Sequence, residues 1–283
     1  MKNSIKTVLA MFAILPCALF FSACGGEKVE IAKAQQVYQE TSTNTSEITT
    51  DYKVETNFKF SLKEDTLGET EGSVNGTIIK TGEVVDGNYD NVKLYIKSNV
   101  TAKSFSPYYD TQGTMKKEKV LAKVDGKFCE IDKLVKKYNE INKTELEMGL
   151  MGALEDVGES DASTVNPISF LNIDFEEIAK ENSTLKLNVE KFGDSKYVFT
   201  MEGYELIEKV GKIESKITII SEANKIVEMK FDVKSFTLKE KGNPEKAEDF
   251  TEQTMSVNGS MKVSYGKQKI DVPSLKDYKK SLI

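Results

Sequence analysis

The feature that most constrains the fold of this chain is a two-residue alternation over residues 48–63, ITTDYKVETNFKFSLK. In a β-strand, successive side chains point to opposite faces of the sheet, so this pattern predicts one strand with one apolar face. At about 3.3 Å per residue, such a strand would be roughly 50 Å long. Something must cover so long an apolar face, which carries Ile48, Tyr52, Val54, Phe58, Phe60 and Leu62.

The same alternation fills much of the remaining chain, for example at 71–81 and 91–102. We count about eleven candidate strands joined by short turns, the last of them KIDVP after a turn at Gly266. One turn contains Asp125-Gly126, a dipeptide that favours a two-residue hairpin. Because the strands keep one polar face, we expect an antiparallel sheet; strands of parallel sheets read as continuous apolar runs. The pattern leaves open whether the apolar face is hidden by sandwiching, by closure or by curling around helices.

Helical spacing interrupts the alternation at the start of the chain, over residues 29–41, around residues 204–211, and in a central block. The central block contains three such stretches, at 132–141, 144–158 and 174–181. The second opens with a capping box formed by Thr144 and Glu147. We therefore predict an α+β fold: a curved antiparallel sheet of about eleven strands, an unclosed half-barrel, with an N-terminal helix and a central helical insertion.

The first 23 residues contain the three regions of a secretory signal: the basic residues Lys2 and Lys6, an apolar run, and small residues. The junction Phe21-Ser22-Ala23-Cys24 resembles the bacterial lipobox, in which the cysteine receives diacylglycerol before cleavage. The alternatives are a transmembrane helix and an ordinary cleavable signal. The apolar run argues against the first, because it is shorter than the about 20 residues that a membrane span requires.

These features divide the chain into three predicted segments. Residues 1–23 are a cleaved lipoprotein signal peptide, residues 24–28 are the acylated Cys24 with a short tether, and residues 29–283 are a single half-barrel domain. The mature protein is expected on the extracytoplasmic face of the bacterial cell membrane, which it contacts through the acyl chains on Cys24. Two such chains are enough for stable anchoring.

The composition excludes several classes of function. All 39 basic residues are lysines, because the chain contains no Arg, and His is absent as well. Without His there is no Ser-His-Asp relay and no His-ligated zinc or iron, and without Arg there is no guanidinium clamp. The net charge is −6 and becomes more negative once Lys2 and Lys6 are removed, so nucleic acid is not an expected partner. We predict a non-enzymatic protein without cofactor or metal.

The order of these elements, with the terminal segment YGKQKIDVP, resembles the unclosed-barrel lipid-binding proteins, the LolA-like and LppX/LprG-like lipoproteins. It is more similar still to uncharacterised lipoproteins of low-GC Gram-positive bacteria that share this layout. The resemblance covers roughly residues 29–275. It implies a half-barrel whose concave face and helical lid enclose a cavity for acyl chains.

The candidate ligand-binding residues are two aromatic residues of the first long strand and four apolar residues of the central helix: Phe58, Phe60, Met148, Leu150, Met151 and Leu154. Methionine adapts to varied apolar shapes. The leading hypothesis is a binder or carrier of a lipid or other hydrophobic ligand. The alternative is an interaction or scaffold module whose core is filled by its own side chains. Cys129, near a tight turn, is expected to be a buried, inert thiol.

Overall fold

The computed structural model describes residues 26–46, 51–64, 68–83, 85, 88–105, 110–146, 184, 186–207, 211–240 and 250–281. The N-terminal helix α1 spans Ile31–Ser46, which confirms the helix predicted there. None of the described helices is long and apolar enough to cross a membrane. The strands of this part of the chain are β1 Glu27–Lys28, β2 Tyr52–Glu64, β3 Gly68–Thr81, β4 Lys93–Phe105, β5 Asp110–Val124, β6 Lys127–Asp132, β7 Lys137–Ile141, β8 Lys186–Phe192, β9 Lys196–Ile207, β10 Gly211–Glu222, β11 Lys225–Glu240, β12 Phe250–Tyr265 and β13 Lys279–Lys280.

All of these strands belong to one sheet, in the order β1-β8-β9-β10-β11-β12-β2-β3-β4-β5-β6-β7-β13. Neighbouring strands are antiparallel, as predicted, except for β13, which pairs with β7 in parallel. The edge strands β1 and β13 have two residues each and do not pair with one another, so the sheet is open. The short edges limit the number of unpaired backbone groups that another chain could meet.

The predicted fold class is wrong. The described residues form one thirteen-stranded sheet with a single long helix, and they are not an α+β half-barrel of eleven strands. Three short strands were missed, because β1, β7 and β13 are too brief to show an alternation. One predicted strand does not exist, because residues 267–274 follow the turn at Gly266 without pairing in the sheet.

The helix predicted at 132–141 is a turn followed by strand β7. The Asp132 carboxylate accepts the backbone N–H groups of Leu134 at 2.9 Å and Val135 at 3.1 Å. A helix N-cap makes the same kind of bond, so this signal does not separate a helix from an Asp-capped turn. The side chains of Leu134 and Val135 are 48% and 61% exposed, so neither supplies the buried face that a helix would need.

The capping box of the central block lies two residues earlier than predicted. The side chain of Asn142 accepts the N–H of Glu145 at 2.9 Å, and the Glu145 carboxylate accepts the N–H of Asn142 at 2.7 Å. Residues 143–146 are helical, whereas most of the helix predicted at 144–158 and all of that at 174–181 lie outside the described residues. The helix predicted around 204–211 is also wrong, because β9 continues to Ile207 and pairs with β10.

The main core lies where α1 covers one face of the sheet, which we call the inner face; the opposite one is the outer face. The Tyr38 ring of α1 packs edge-on against Phe199 of β9, with 5.4 Å between ring centroids. Both side chains are buried. Around them lie buried residues of α1 and of the ends of six strands: Ala34, Val37, Tyr52, Val54, Val189, Met201, Ile219, Ile226, Met229 and Val263.

Residues 120–122 of β5 are buried on both faces of the sheet, and β6 is buried on its outer face. On the inner face, Leu121 packs with Leu94 and with Leu146 from the helical turn at 143–146. On the outer face, Val120 and Ile131 pack under the C-terminal segment, which contributes four side chains: Ile270, Val272, Leu275 and Tyr278. Cys129 belongs to this outer cluster and is fully buried, as predicted, and burial raises the pKa of its thiol. The thiol is therefore neutral at physiological pH.

The Tyr38–Phe199 contact yields a test of the core. We expect Phe199→Ala to lower the free energy of unfolding by about 3–5 kcal/mol, because it leaves a large cavity beneath α1. Thr200→Ala, the next residue of β9, points to the outer face and should change stability by less than about 0.5 kcal/mol. Denaturant unfolding of the two variants measures both values. Equal losses of stability would contradict the assignment of the two faces.

Candidate functional site

The inner face remains apolar well beyond the area that α1 covers. At the start of β2, Tyr52 and Val54 are buried, and burial raises the pKa of the Tyr52 phenol. Further along the same face of β2, Phe58, Phe60 and Leu62 are only half-buried. The alternation predicted for this strand is thus confirmed, but burial decreases along it. We call the α1 end of the sheet proximal and the opposite end distal.

Part of this distal inner face is filled by its own side chains. Gly259 of β12 lies between Phe58 of β2 and Phe231 of β11 in the strand register. Because glycine has no side chain, the two aromatic rings meet across β12, with 5.0 Å between their centroids. Ile213 and Val233 join this cluster and are buried. This cluster alone gives no indication of space for a ligand.

A shallow trough begins at Phe60 and crosses β3, β4 and β5. The register places Phe60, Gly72, Ala102 and Gly113 in one row across these strands. A β-carbon on Gly72 would lie less than 3.0 Å from the Phe60 ring and from the Thr101 carbonyl oxygen, so the ring lies directly over this glycine. A β-carbon on Gly113 would have nothing within 4 Å. The trough therefore opens towards β5.

One side of the trough is lined by larger apolar side chains. Val74 and Val100 are half-buried, and Met115 of β5 is 67% exposed. None of the hydrophobic clusters formed by the described residues includes these three side chains. We call the surface formed by the trough and this flank the open apolar patch: Phe60, Gly72, Val74, Val100, Ala102, Gly113 and Met115. Four strands wide, it measures about 14 Å across.

Polar groups border the apolar inner face at both ends. At the proximal end, Lys80 is 8% exposed, and burial lowers the pKa of its ammonium while Asp51 and Glu83 oppose that shift. At the distal end, the Glu64 carboxylate accepts a hydrogen bond from the Gln253 amide at 3.1 Å. On β2 to β5, a row of Thr56, Gly76, Ser98 and Lys117 also separates the patch from the apolar row nearer α1. The patch itself contains no ionisable side chain.

A cation lies directly beside the patch. Lys117 is on the same face of β5 as Met115, opposite Ser98 in the register, and its side chain is exposed. A ligand with an apolar chain on the patch could therefore place an anionic group near this ammonium. Within the described ranges, no group of three or more His, Cys, Asp or Glu residues could hold a metal ion.

The structure describes two of the seven predicted site residues. Phe58 and Phe60 lie on the inner face as expected, although Phe58 belongs to the self-filled cluster. The remaining predicted site residues lie outside the described residues: Cys24, Met148, Leu150, Met151 and Leu154. Sequence reasoning missed the patch residues of β3 and β5. The alternation at 91–102 did indicate Val100 and Ala102, but Met115 lies in the polar run TQGTMKKEK, where no apolar period marks it.

Comparison with known proteins identifies no family. No protein-family model matches the chain, and no curated protein matches it. Among solved structures, the outer membrane protein OprG from Pseudomonas aeruginosa matches with 9% identity over 77% of this chain and 97% of that chain, at a TM-score of 0.14. A score this low carries no argument about fold or function. The resemblance to LolA-like lipoproteins is therefore not confirmed.

The two glycines of the trough give a matched test of its geometry. Gly72→Ala should lower the free energy of unfolding by about 1–3 kcal/mol, because the added carbon collides with the Phe60 ring and a backbone carbonyl. Gly113→Ala should change it by less than about 0.5 kcal/mol or stabilise the protein slightly, since alanine fits open space. Chemical denaturation measures both. A larger loss for Gly113→Ala would contradict an open trough.

Proposed function

We propose that this protein is a non-enzymatic envelope lipoprotein that binds an acyl chain, or another hydrophobic ligand, on the open apolar patch. One observation carries the proposal: the apolar inner face continues beyond α1 onto strands where Met115 is 67% exposed and Val74 and Val100 are half-buried. Contiguous exposed apolar surface of this kind commonly marks a binding site.

The energetics favour a chain-like ligand. Burial of each methylene group of an acyl chain contributes about 0.8 kcal/mol, so ten buried groups would contribute on the order of 8 kcal/mol before the costs of binding. The row of Val74, Val100 and Met115 gives the trough an apolar wall along one side. Lys117 supplies a cation for an anionic head group at the edge. The ligand class that fits best is a lipid with an anionic or polar head.

The described chain begins far from the open apolar patch. Strand β1 pairs with β8 beside the turn at 193–195, so the described chain begins at the proximal end of the sheet. Phe60 lies eight residues along β2 from Tyr52, which corresponds to about 26 Å. A protein anchored through Cys24 would therefore hold its ligand away from the membrane surface, as a carrier does.

The alternative is an interaction module that binds no ligand. The packing of Phe58 against Phe231 across Gly259 favours it, because this part of the inner face is satisfied by the protein's own side chains. The two functions make different demands on the open apolar patch. A hydrophobic ligand needs the patch accessible, whereas an interaction module works through other surfaces.

Two neighbouring residues of β5 test the proposal. We expect Met115→Lys to weaken binding of a fluorescent fatty-acyl probe by about tenfold or more, because it removes apolar contact and adds a charge to the patch. Thr114→Lys adds the same charge on the outer face and should leave the affinity within about twofold. Fluorescence titration measures both. If wild type does not bind the probe, or if both variants bind it equally well, the interaction module is the better account.

The proposed anchor is tested in cells. Cys24→Ala removes the residue that would carry the acyl chains, so we expect an unprocessed precursor and loss of metabolic labelling with a palmitate analogue. Cys129→Ala is the control, because this buried thiol lies in the outer cluster and should leave labelling unchanged. Labelling of the Cys24→Ala variant at the wild-type level would show that the lipobox interpretation is wrong.

A further inference from the structure

The outer face carries a second feature, a band of polar side chains that crosses eight strands. The register aligns one row from Lys103 of β4 to Tyr204 of β9, and the next row from Thr101 of β4 to Lys186 of β8. We call these two rows the polar band. At about 4.8 Å per strand, eight strands span about 34 Å. Its side chains are half-buried or exposed throughout.

The surface of the polar band has two depressions. Near β2, β3 and β4 a depression of about 410 Å³ is lined by eight residues of the band, among them Lys59, Thr101 and Asn258. Phe60, Gly72 and Ala102 also line it, and they alternate with band residues along their strands, where their side chains belong to the inner face. Near β8 to β11 a second cavity of about 560 Å³ is lined by polar side chains and by Tyr204. Ligand pockets commonly measure about 300–1,000 Å³. Both hollows are open to solvent, so the band has the shape of a shallow groove.

The charges of the band are almost balanced. Its cations are Lys59, Lys103, Lys186, Lys216 and Lys234, and its anions are Glu71, Glu202, Asp232 and Glu214. Five positive and four negative groups give no strong potential of either sign, so neither a polyanion nor a polycation is the expected ligand. An uncharged or zwitterionic polymer fits this arrangement.

The uncharged groups of the band are hydroxyl and amide donors and acceptors. The hydroxyl of Ser61 bonds that of Ser256 at 2.8 Å, and the hydroxyl of Ser73 bonds that of Thr101 at 2.9 Å. Each hydroxyl has one donor and two acceptor sites, so every pair keeps capacity for a ligand. Glu71 and Lys103 approach only to 4.0 Å, with about half of each side chain exposed.

An aromatic platform completes the groove. Tyr204 is 41% exposed at one end of the band, and the Lys212 ammonium lies over one face of its ring, 4.9 Å from the ring centroid, so a ligand would stack on the other face. In the adjoining distal row, Leu206 and Phe236 are 69% and 41% exposed. Apolar and aromatic surface beside convergent hydrogen-bonding groups suits a ligand with both C–H faces and many hydroxyls.

We propose that the polar band binds a linear neutral or zwitterionic glycan. Such a chain offers hydroxyls and amides to the serine, threonine and asparagine side chains, places a C–H face on Tyr204, and is long enough to cross several strands. This site lies on the opposite face from the open apolar patch and does not depend on the lipid proposal. It gives the protein a second contact, with carbohydrate, in addition to any hydrophobic ligand.

The probe for this proposal is chitohexaose, a soluble, uncharged glycan that carries both hydroxyl and amide groups. We expect the full mature chain to bind it in isothermal titration calorimetry. The double variant Tyr204→Ala/Asn258→Ala removes the platform and a central amide, and should weaken binding by roughly tenfold, the loss expected from one or two contacts. Both residues are exposed, so the variant should remain folded.

The controls separate this site from the rest of the protein. Thr77→Ala/Ser264→Ala changes two neutral outer-face residues outside the band and should bind chitohexaose like wild type. Met115→Lys, which alters only the apolar patch, should also bind it like wild type. The proposal is overturned if wild type does not bind chitohexaose, if the control pair loses as much affinity as the band pair, or if dextran sulfate binds more tightly than chitohexaose.

Discussion

The structure depends on how one apolar sheet face is removed from water. Backbone pairing builds a single sheet of thirteen strands from the described residues, but pairing does not bury side chains on its faces. Helix α1 covers the proximal inner face, anchored by Tyr38 against Phe199. The short turn at 143–146 and the C-terminal segment cover opposite faces of β5 and β6. Beyond these covers, the inner face keeps its apolar residues, and the proposed ligand site lies there.

The two faces of the sheet offer different chemistry to different ligands. On the inner face, glycines at 72, 113 and 259 replace side chains where rings must meet or where a trough opens. On the outer face, the same strands present hydroxyl, amide and charged groups in register, with hollows between them. A one-residue shift in the pairing of any strand would exchange its two faces. The long, regular registers therefore hold both proposed sites in place.

Much of the fold could be predicted from the sequence, because an alternation of apolar and polar residues directly indicates a strand with one apolar face. The strand at 48–63, the helix at the N-terminus and the hairpin at Asp125-Gly126 all follow from local pattern, and the hairpin turn has the positive φ angles that its type requires. Residues 132–141 were misassigned because Asp132 caps a turn as readily as a helix. The site was harder to predict: Met115 lies in a polar run, and the role of Gly259 appears only when Phe58 and Phe231 are placed on either side of it.

The central claim is that the open apolar patch carries a hydrophobic ligand. Native mass spectrometry of the mature protein without its N-terminal acyl chains, purified from its own host, tests this most directly. The account predicts a bound mass that organic extraction removes and identifies as a lipid, and that is reduced in the Met115→Lys variant but present in Thr114→Lys. A spectrum that contains only the bare chain, or a bound mass equally retained by both variants, would contradict it.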